Sequence, residues 1–393
     1  MRILFLTKGL RPDNVIEQPW AHIHQLESRF RIAGESTSVI SYGGCDGLRV
    51  TDSELGNIYS LGGRFRLDSE EFLRVAKQID PEVINWYSGL LSSRDIAKIS
   101  KNVGSKIVWN ITQRRILPGE SYPLRPSDIF RLKQLAMIYS YSFLPDFLVR
   151  RAVEGVRAVV VPSRLAETSL MKMGIPQQKI HRISSGVDSK LFSRLPTKEE
   201  IRSARESNGL NEDDFVLCYF GSISSFRGFD TVLDAFSILT TEIPDARLLV
   251  LARSQGRERS ISNLSKRSPY MKVVTEILEP DDIVRLLMAS DVVVLPFRFW
   301  PMNECPLTIL EGMAAGKVVI TTPVGFAEDV IVNGVNGFLV RPGDSVGIAD
   351  LLKELARDEK RRTEIGNAAR ELVLRDYNWD RIAQRTLDLF RRI

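Results

Sequence analysis

The chain has 393 residues, 44% of them apolar and 26% charged, with a formal net charge of +5. That length suffices for two domains with separate cores, and the composition is that of a globular protein. The mild positive charge suits anionic small molecules or lipid headgroups, but it is too weak and too dispersed to argue for nucleic acid.

Cys45, Cys218 and Cys305 stand far apart without metal or disulfide spacing, so a reducing cytoplasm is the expected compartment. His22 and His24 would diverge on a helix and His181 stands elsewhere, so no metal site is expected. MRILFLTKG is too short for a secretory core, and no run of about 18 apolar residues spans a bilayer.

In chain order, Arg2 to Thr7 is a first buried strand, Lys8, Gly9 and Pro12 make a loop, and Trp20 to Phe30 is a first helix. Ser36 to Tyr42 is a second strand, followed by a glycine-rich turn from Gly43 to Gly47. Pro81 to Tyr87 and Lys106 to Ile111 are two more strands, ending near Trp86, Tyr87, Asn110 and Thr112. Residues 113–151 hold a Pro-rich loop and then FRLKQLAMIYSYSFLPDFLVRR, one or two helices with a basic side. That side is either the solvated back of a helix packed on the sheet or a peripheral surface that meets lipid or a lipid-linked acceptor. Ala158 to Pro162 is a strand, SRLAETSLMKMG a capped helix closed by Gly174, and Gly186-Val187-Asp188 a turn before a polar linker from Leu191 to Arg205.

The second half repeats the alternation. Phe215 to Phe220 is a strand, GSISSFRGFD its loop, and Asp230 to Leu239 a helix. Arg247 to Ala252 and Val273-Val274 are strands, with loops at Arg253 to Gly256 and Glu276 to Pro280. Asp281 to Met288 is a helix. Val292 to Leu295 is a buried strand, and the loop PFRFWPMNEC leads to a helix with Pro306 at its first position. Leu307, Ile309, Leu310 and Met313 form the apolar side of that helix, Gly316 ends it, and Val318 to Ile320 is the next strand. The N-terminus of that helix, with free N–H groups and partial positive charge, suits a phosphate. Asn336-Gly337 signals a hairpin turn, and YNWDRIAQRTLDLF is a final helix. Strands alternating with helices indicate two doubly wound α/β domains.

PLTILEGMAAGKVVI resembles the nucleotide-sugar site of family 4 glycosyltransferases, of GT-B architecture, and AEDVIVNGVNGFLVRPGD is similar to the run that follows it in that family. The resemblance implies two Rossmann-like doubly wound domains facing a central cleft. Residues 1–190 would bind the acceptor, 206–375 the nucleotide-sugar, and 376–393 would cross back to the first domain. It implies a retaining, metal-independent hexosyltransferase that moves a sugar from a nucleotide-diphospho-sugar to a glycan, lipid-linked or small-molecule acceptor.

The family carries one Glu eight residues before the Glu matched by Glu311. Here that position is Asn303, with Glu304 one residue later, and either of the two takes the sugar hydroxyls while Glu311 takes the ribose. The family's Gly-Arg…Lys-Gly element is matched by Gly221, Arg227 and Gly228, with Ser222 in the Arg position; Arg253 or Arg298 is left to supply the missing cation. The diphosphate would rest on Leu307 and Thr308, and the base on the backbone near Ile277. Gly9, Asn110 and Thr112 would face the acceptor and sugar, although the family's Gly-Gly pair and His are absent. A non-catalytic GT-B subunit and a sugar-nucleotide epimerase are the alternative readings.

Overall fold

The computed structural model of the protein describes residues 1–10, 20–45, 49–53, 56–62, 69–116, 143–252, 268–274, 279–298 and 305–393. The chain divides into two compact units. One comprises Met1–Ser185, Pro301–Cys305 and Trp379–Ile393, and the other Gly186–Trp300 and Pro306–Asn378.

The first unit is built on strands β1 (Arg2–Lys8), β2 (Ser36–Cys45), β3 (Arg49–Ser53), β4 (Gly56–Gly62), β5 (Val83–Ser88), β6 (Lys106–Ile111), β7 (Ala158–Val161) and β8 (Ile180–Arg182). They lie in the order β3-β4-β2-β1-β5-β6-β7-β8, all pairs parallel except β3 with β4. Leu4 and Leu6 on β1, Ile84 and Trp86 on β5 and Trp109 on β6 are fully buried, as strands covered on both faces require. Helices α1 (Trp20–Ile32), α2 (Ser69–Ile79), α3 (Ser93–Ile99), α4 (Asp146–Glu154) and α5 (Arg164–Lys172) accompany them. Ser163 caps α5 by accepting from Ala166 N–H at 3.0 Å.

The second unit contains α6 (Lys198–Glu206), β9 (Phe215–Gly221), α7 (Phe229–Leu239), β10 (Ala246–Ala252), β11 (Met271–Val274), α8 (Pro280–Ala289) and β12 (Val292–Leu295). After these come α9 (Leu307–Ala314), β13 (Val318–Thr321), α10 (Ala327–Val330), β14 (Phe338–Leu339), α11 (Ser345–Arg357) and α12 (Glu359–Asp376). Its sheet is wholly parallel, in the order β11-β10-β9-β12-β13-β14.

The last helix, α13 (Trp379–Arg392), returns to the first unit and packs on α1. Phe390 meets Phe30 edge-on at 6.0 Å, Trp379 meets His22 at 4.9 Å, and Asp380 accepts from Arg29 at 2.6 Å.

Four local expectations are corrected. Gly43 and Gly44 do not turn but continue β2 to Cys45, and the chain then forms β3 and β4, which the alternation of apolar and polar residues did not reveal. The expected linker from Leu191 to Arg205 is helical over most of its second half, within α6: Thr197 and Glu200 make a reciprocal capping box. Arg205 is then buried, donating to the Glu212 carbonyl at 2.6 Å and to Asp291 Oδ2 at 3.0 Å. Asn336-Gly337 makes no hairpin. The Asn336 amide is buried, accepting from Val332 N–H at 2.7 Å and donating to the Val330 carbonyl at 3.0 Å, and the chain proceeds into β14, parallel to β13. Pro306 is the N-cap of α9 rather than its first residue, with an extended ψ of 112°.

Candidate functional site

In a doubly wound sheet, ligands bind beyond the carboxyl ends of the strands where the strand order reverses. In the second unit the chain leaves β9 for β10 on one side and later places β12 on the other, so the reversal lies between β9 and β12. The loops that follow these two strands carry the residues singled out from the sequence.

After β9, Gly221 has a φ of 139° and Gly228 a φ of 71°, both in the region that favours glycine. A Cβ on Gly221 would lie 2.2 Å from Arg227 Nη1, so the guanidinium rests directly against that backbone. A Cβ on Gly228 would lie 1.9 Å from the Pro296 carbonyl oxygen, so the two loops touch there. Two further links bind them. Arg298 N–H donates to the Phe226 carbonyl at 2.9 Å, and the Arg227 guanidinium sits 5.5 Å from the Phe297 ring centroid. Ser224 caps the single 3-10 turn Ser225–Arg227, its hydroxyl accepting from Arg227 N–H at 3.3 Å.

Ser222, in the position where the resembled family has an arginine, contributes no charge; its carbonyl accepts the Tyr219 hydroxyl at 2.8 Å. Burial raises the pKa of that phenol, so it stays a neutral donor. Arg298 is buried at 5% exposure and is held by Asp230, in the first turn of α7, at 3.3 Å. The second cation near the corner is therefore already committed to a carboxylate.

After β12, helix α9 packs closely on the sheet: a Cβ on Gly312 would meet Val319 and Val293 at 3.1–3.3 Å. The small residue lets the helix approach, and the apolar residues Ile309, Leu310 and Met313 are fully buried. Thr308 and Glu311, three residues apart, share a helix face. Thr308 is 9% exposed and its hydroxyl meets no hydrogen-bond partner among the described residues. A buried hydroxyl without a partner is destabilising unless something occupies it. At the other end Arg370 Nη1 donates to the Ala314 carbonyl and Gly316 takes a φ of 72°. Asn303, Glu304, Arg253 and Ile277 lie outside the described residues.

The first unit has a corresponding reversal between β1 and β5. A cavity of about 760 Å³ opens there, lined by Thr7 and Lys8 at the end of β1, Tyr87 and Ser88 at the end of β5, and Thr112 beyond β6. Of the three residues expected to face acceptor or sugar, Thr112 lines it, its N–H donating to the Ser88 carbonyl at 3.2 Å. Gly9, with φ 74°, follows Lys8 and donates its N–H to the Tyr42 carbonyl at 2.9 Å. The Asn110 amide is turned into the core, where it donates to Asn85 Oδ1.

Residues 200–372 match the family described as Glycosyl transferases group 1. The chain carries a glycosyl transferase group 1 domain. A D-inositol 3-phosphate glycosyltransferase of Xylanimonas cellulosilytica is 29% identical over 249 residues, 61% of this chain and 58% of that relative. The chain thus matches about three fifths of the length of the curated relatives. Among solved structures, Anabaena HepE in complex with UDP is similar over the whole of both chains, with a TM-score of 0.74 at 18% identity. Sucrose-phosphate synthase from Thermosynechococcus elongatus reaches 0.76 at 19% identity over 99% of this chain and 98% of its own. The fold is GT-B, and the glycosyl transferase domain coincides with the unit whose corner holds Arg227, Thr308 and Glu311.

Proposed function

We propose that this protein transfers a sugar from a nucleotide-diphospho-sugar to an acceptor hydroxyl, with retention of anomeric configuration and without a metal ion. The observation that carries the reading is the corner between β9 and β12. There the Arg227 guanidinium is pressed onto Gly221, and the first turn of α9 holds a buried hydroxyl that nothing in the described protein satisfies. A diphosphate fits both, because it is anionic and accepts hydrogen bonds from helix N–H groups, a hydroxyl and a guanidinium together.

In this reading Glu311 holds the ribose hydroxyls, and Glu304 or Asn303 the sugar. The acceptor oxygen forms a bond to the anomeric carbon on the face from which the nucleoside diphosphate departs. The carbon–oxygen bond to phosphate breaks, the diphosphate keeps the electron pair, and the acceptor proton passes to a leaving phosphate oxygen. Arg227 and Thr308 stabilise the charge that grows on that oxygen. The solved structure of HepE holds UDP, which makes UDP-sugars the first donors to try.

Ser222 favours a second reading, a GT-B protein that binds nucleotide without turnover, since one cation at the leaving group is missing. Release of nucleoside diphosphate from UDP-, GDP- and ADP-sugars, with Arg227→Ala and Glu311→Ala in parallel, tests both. Turnover lost in each variant supports transfer. Nucleotide binding without turnover in the unaltered protein supports the silent form, and no binding of any nucleotide overturns both.

A further inference from the structure

The cavity of the first unit has a chemical asymmetry that neither its fold nor the comparisons assign. Every buried side chain of its lining carries a hydroxyl: Thr7, Tyr42, Tyr87, Ser88 and Ser93. Its mouth is apolar and open. Leu91 is 51% exposed, Phe143 82% and Phe147 58%, and all three line this one cavity. Large exposed apolar side chains scattered singly are ordinary, but three at one opening form a patch that a ligand would cover.

The rim is also fixed in place. Arg115 donates to Asp146 Oδ1 and to the Leu144 carbonyl, and its own carbonyl accepts the Ser169 hydroxyl at 3.2 Å. Phe143 and Phe147 therefore flank a turn that the anchored Arg115 holds by two hydrogen bonds, a preformed surface that loses little entropy on binding.

Charge completes the pattern. Lys8 and Arg94 stand exposed at the cavity, with Asp95 the single acid in its lining. Arg94 has no ion pair or hydrogen bond among the described residues. A guanidinium beside an apolar rim matches a phosphate monoester or diester whose other substituent is a hydrocarbon chain. A neutral glycan would leave the charge of Arg94 unmatched and the hydrocarbon surface of Leu91 uncovered. The volume, about 760 Å³, is in the range that encloses a small ligand's head rather than a whole lipid.

We infer that the cavity at Thr112 takes an amphiphilic phosphate, with its anionic head near Arg94 and Lys8 and its hydrocarbon chain across Leu91, Phe143 and Phe147. As a statement that an amphiphile of this kind, bearing a free hydroxyl on its head, is the acceptor, the inference rests on the transferase reading; as a statement about binding, it does not.

The test uses the full chain and decyl phosphate below its micellar concentration, titrated by calorimetry, with inorganic phosphate and octyl glucoside as the two half-ligands. Decyl phosphate is expected to bind at least about tenfold more tightly than either. Phe143→Ser with Phe147→Ser, and separately Arg94→Gln, are each expected to weaken it about tenfold, with thermal unfolding unchanged because all three side chains are exposed. The proposal is overturned if decyl phosphate binds no better than inorganic phosphate. It is equally overturned if neither variant alters binding, or if the protein sediments with phosphatidylglycerol vesicles while ignoring the monomeric amphiphile, which would make the patch a membrane-contact surface. UDP, GDP and ADP titrated into the same samples separate the two readings. Decyl phosphate bound without any of the three nucleotides keeps this site and removes the transferase, and a nucleotide bound without decyl phosphate does the reverse.

Discussion

The guanidinium of Arg227 and the backbone of Gly221 occupy adjoining space, with Nη1 only 2.2 Å from where a Cβ would stand. The cation is therefore placed by the absence of a side chain six residues earlier. Gly221→Ala should push the guanidinium out of the corner and also strain a φ of 139°. The expected result is a loss of about 1–3 kcal/mol of stability and a fall of about tenfold or more in UDP affinity. Gly34→Ala is the control: its φ is 82° but nothing lies within 4 Å of its Cβ, so it should lose stability and keep its nucleotide. Calorimetric titration and thermal unfolding of the two variants decide it, and equal UDP affinity in both would remove the placing role of Gly221.

The pair Arg298–Asp230 joins the loop after β12 to the first turn of α7. The Arg298 side chain is 3% exposed and Asp230 29%, so removing the carboxylate leaves a nearly buried cation. Asp230→Ala should destabilise the protein by about 3 kcal/mol, whereas replacing both residues by apolar ones of similar volume should restore much of that loss. Urea unfolding of the single and double variants measures the difference. A double variant as unstable as the single one would show that the two residues do not act as a pair.

Much of the fold was legible because parallel strands covered on both faces read as apolar runs: Val292 to Leu295, wholly apolar, and Lys106 to Ile111, with an apolar centre from Ile107 to Trp109, keep their sequence boundaries in the structure. The ends of helices were legible where glycine is obligatory, as at Gly174 and Gly316, both with positive φ. The edge pair β3 and β4 was not, since its residues are short, mixed in polarity and paired antiparallel to each other. Asn336 looked like a hairpin residue, yet its amide serves carbonyl and N–H groups of its own loop. At the site, Gly221, Arg227 and Gly228 were legible as a spaced pattern. The contact of Gly228 with the Pro296 carbonyl and the clamp of Arg115 on the rim of the cavity join residues 68 and 31 apart, and spacing along a chain carries no trace of such contacts.

His22 sets a pH dependence. Its ring packs against Tyr87 at 5.5 Å and Trp379 at 4.9 Å, with Nδ1 3.0 Å from Ser185 Oγ. Burial of the ring lowers its pKa from 6.5 to about 4. The folded protein thus resists a proton that the unfolded chain accepts. Stability from this group is complete above pH 6.5, declines as pH falls towards 4, and amounts to about 2–3 kcal/mol in all. His181 shifts in the same direction, so the contribution of His22 is the difference between the unaltered protein and His22→Gln across that window. Parallel unfolding curves between pH 4 and 6.5 for the two proteins would refute it.

Thr308 separates a ligand site from a structural one. Its hydroxyl is buried without a hydrogen-bond partner in the described protein, so it contributes nothing to the fold that a methyl would not. Thr308→Val keeps the shape and removes the orphan oxygen; stability should hold or rise by about 1 kcal/mol. If a diphosphate accepts a hydrogen bond from that hydroxyl, the same change should lower UDP affinity by about tenfold, the worth of one hydrogen bond to a charged group. A structural residue cannot give that combination of unchanged or improved folding with weakened nucleotide binding. Unchanged affinity in Thr308→Val would move the diphosphate away from the first turn of α9 and leave Arg227 alone to mark its place.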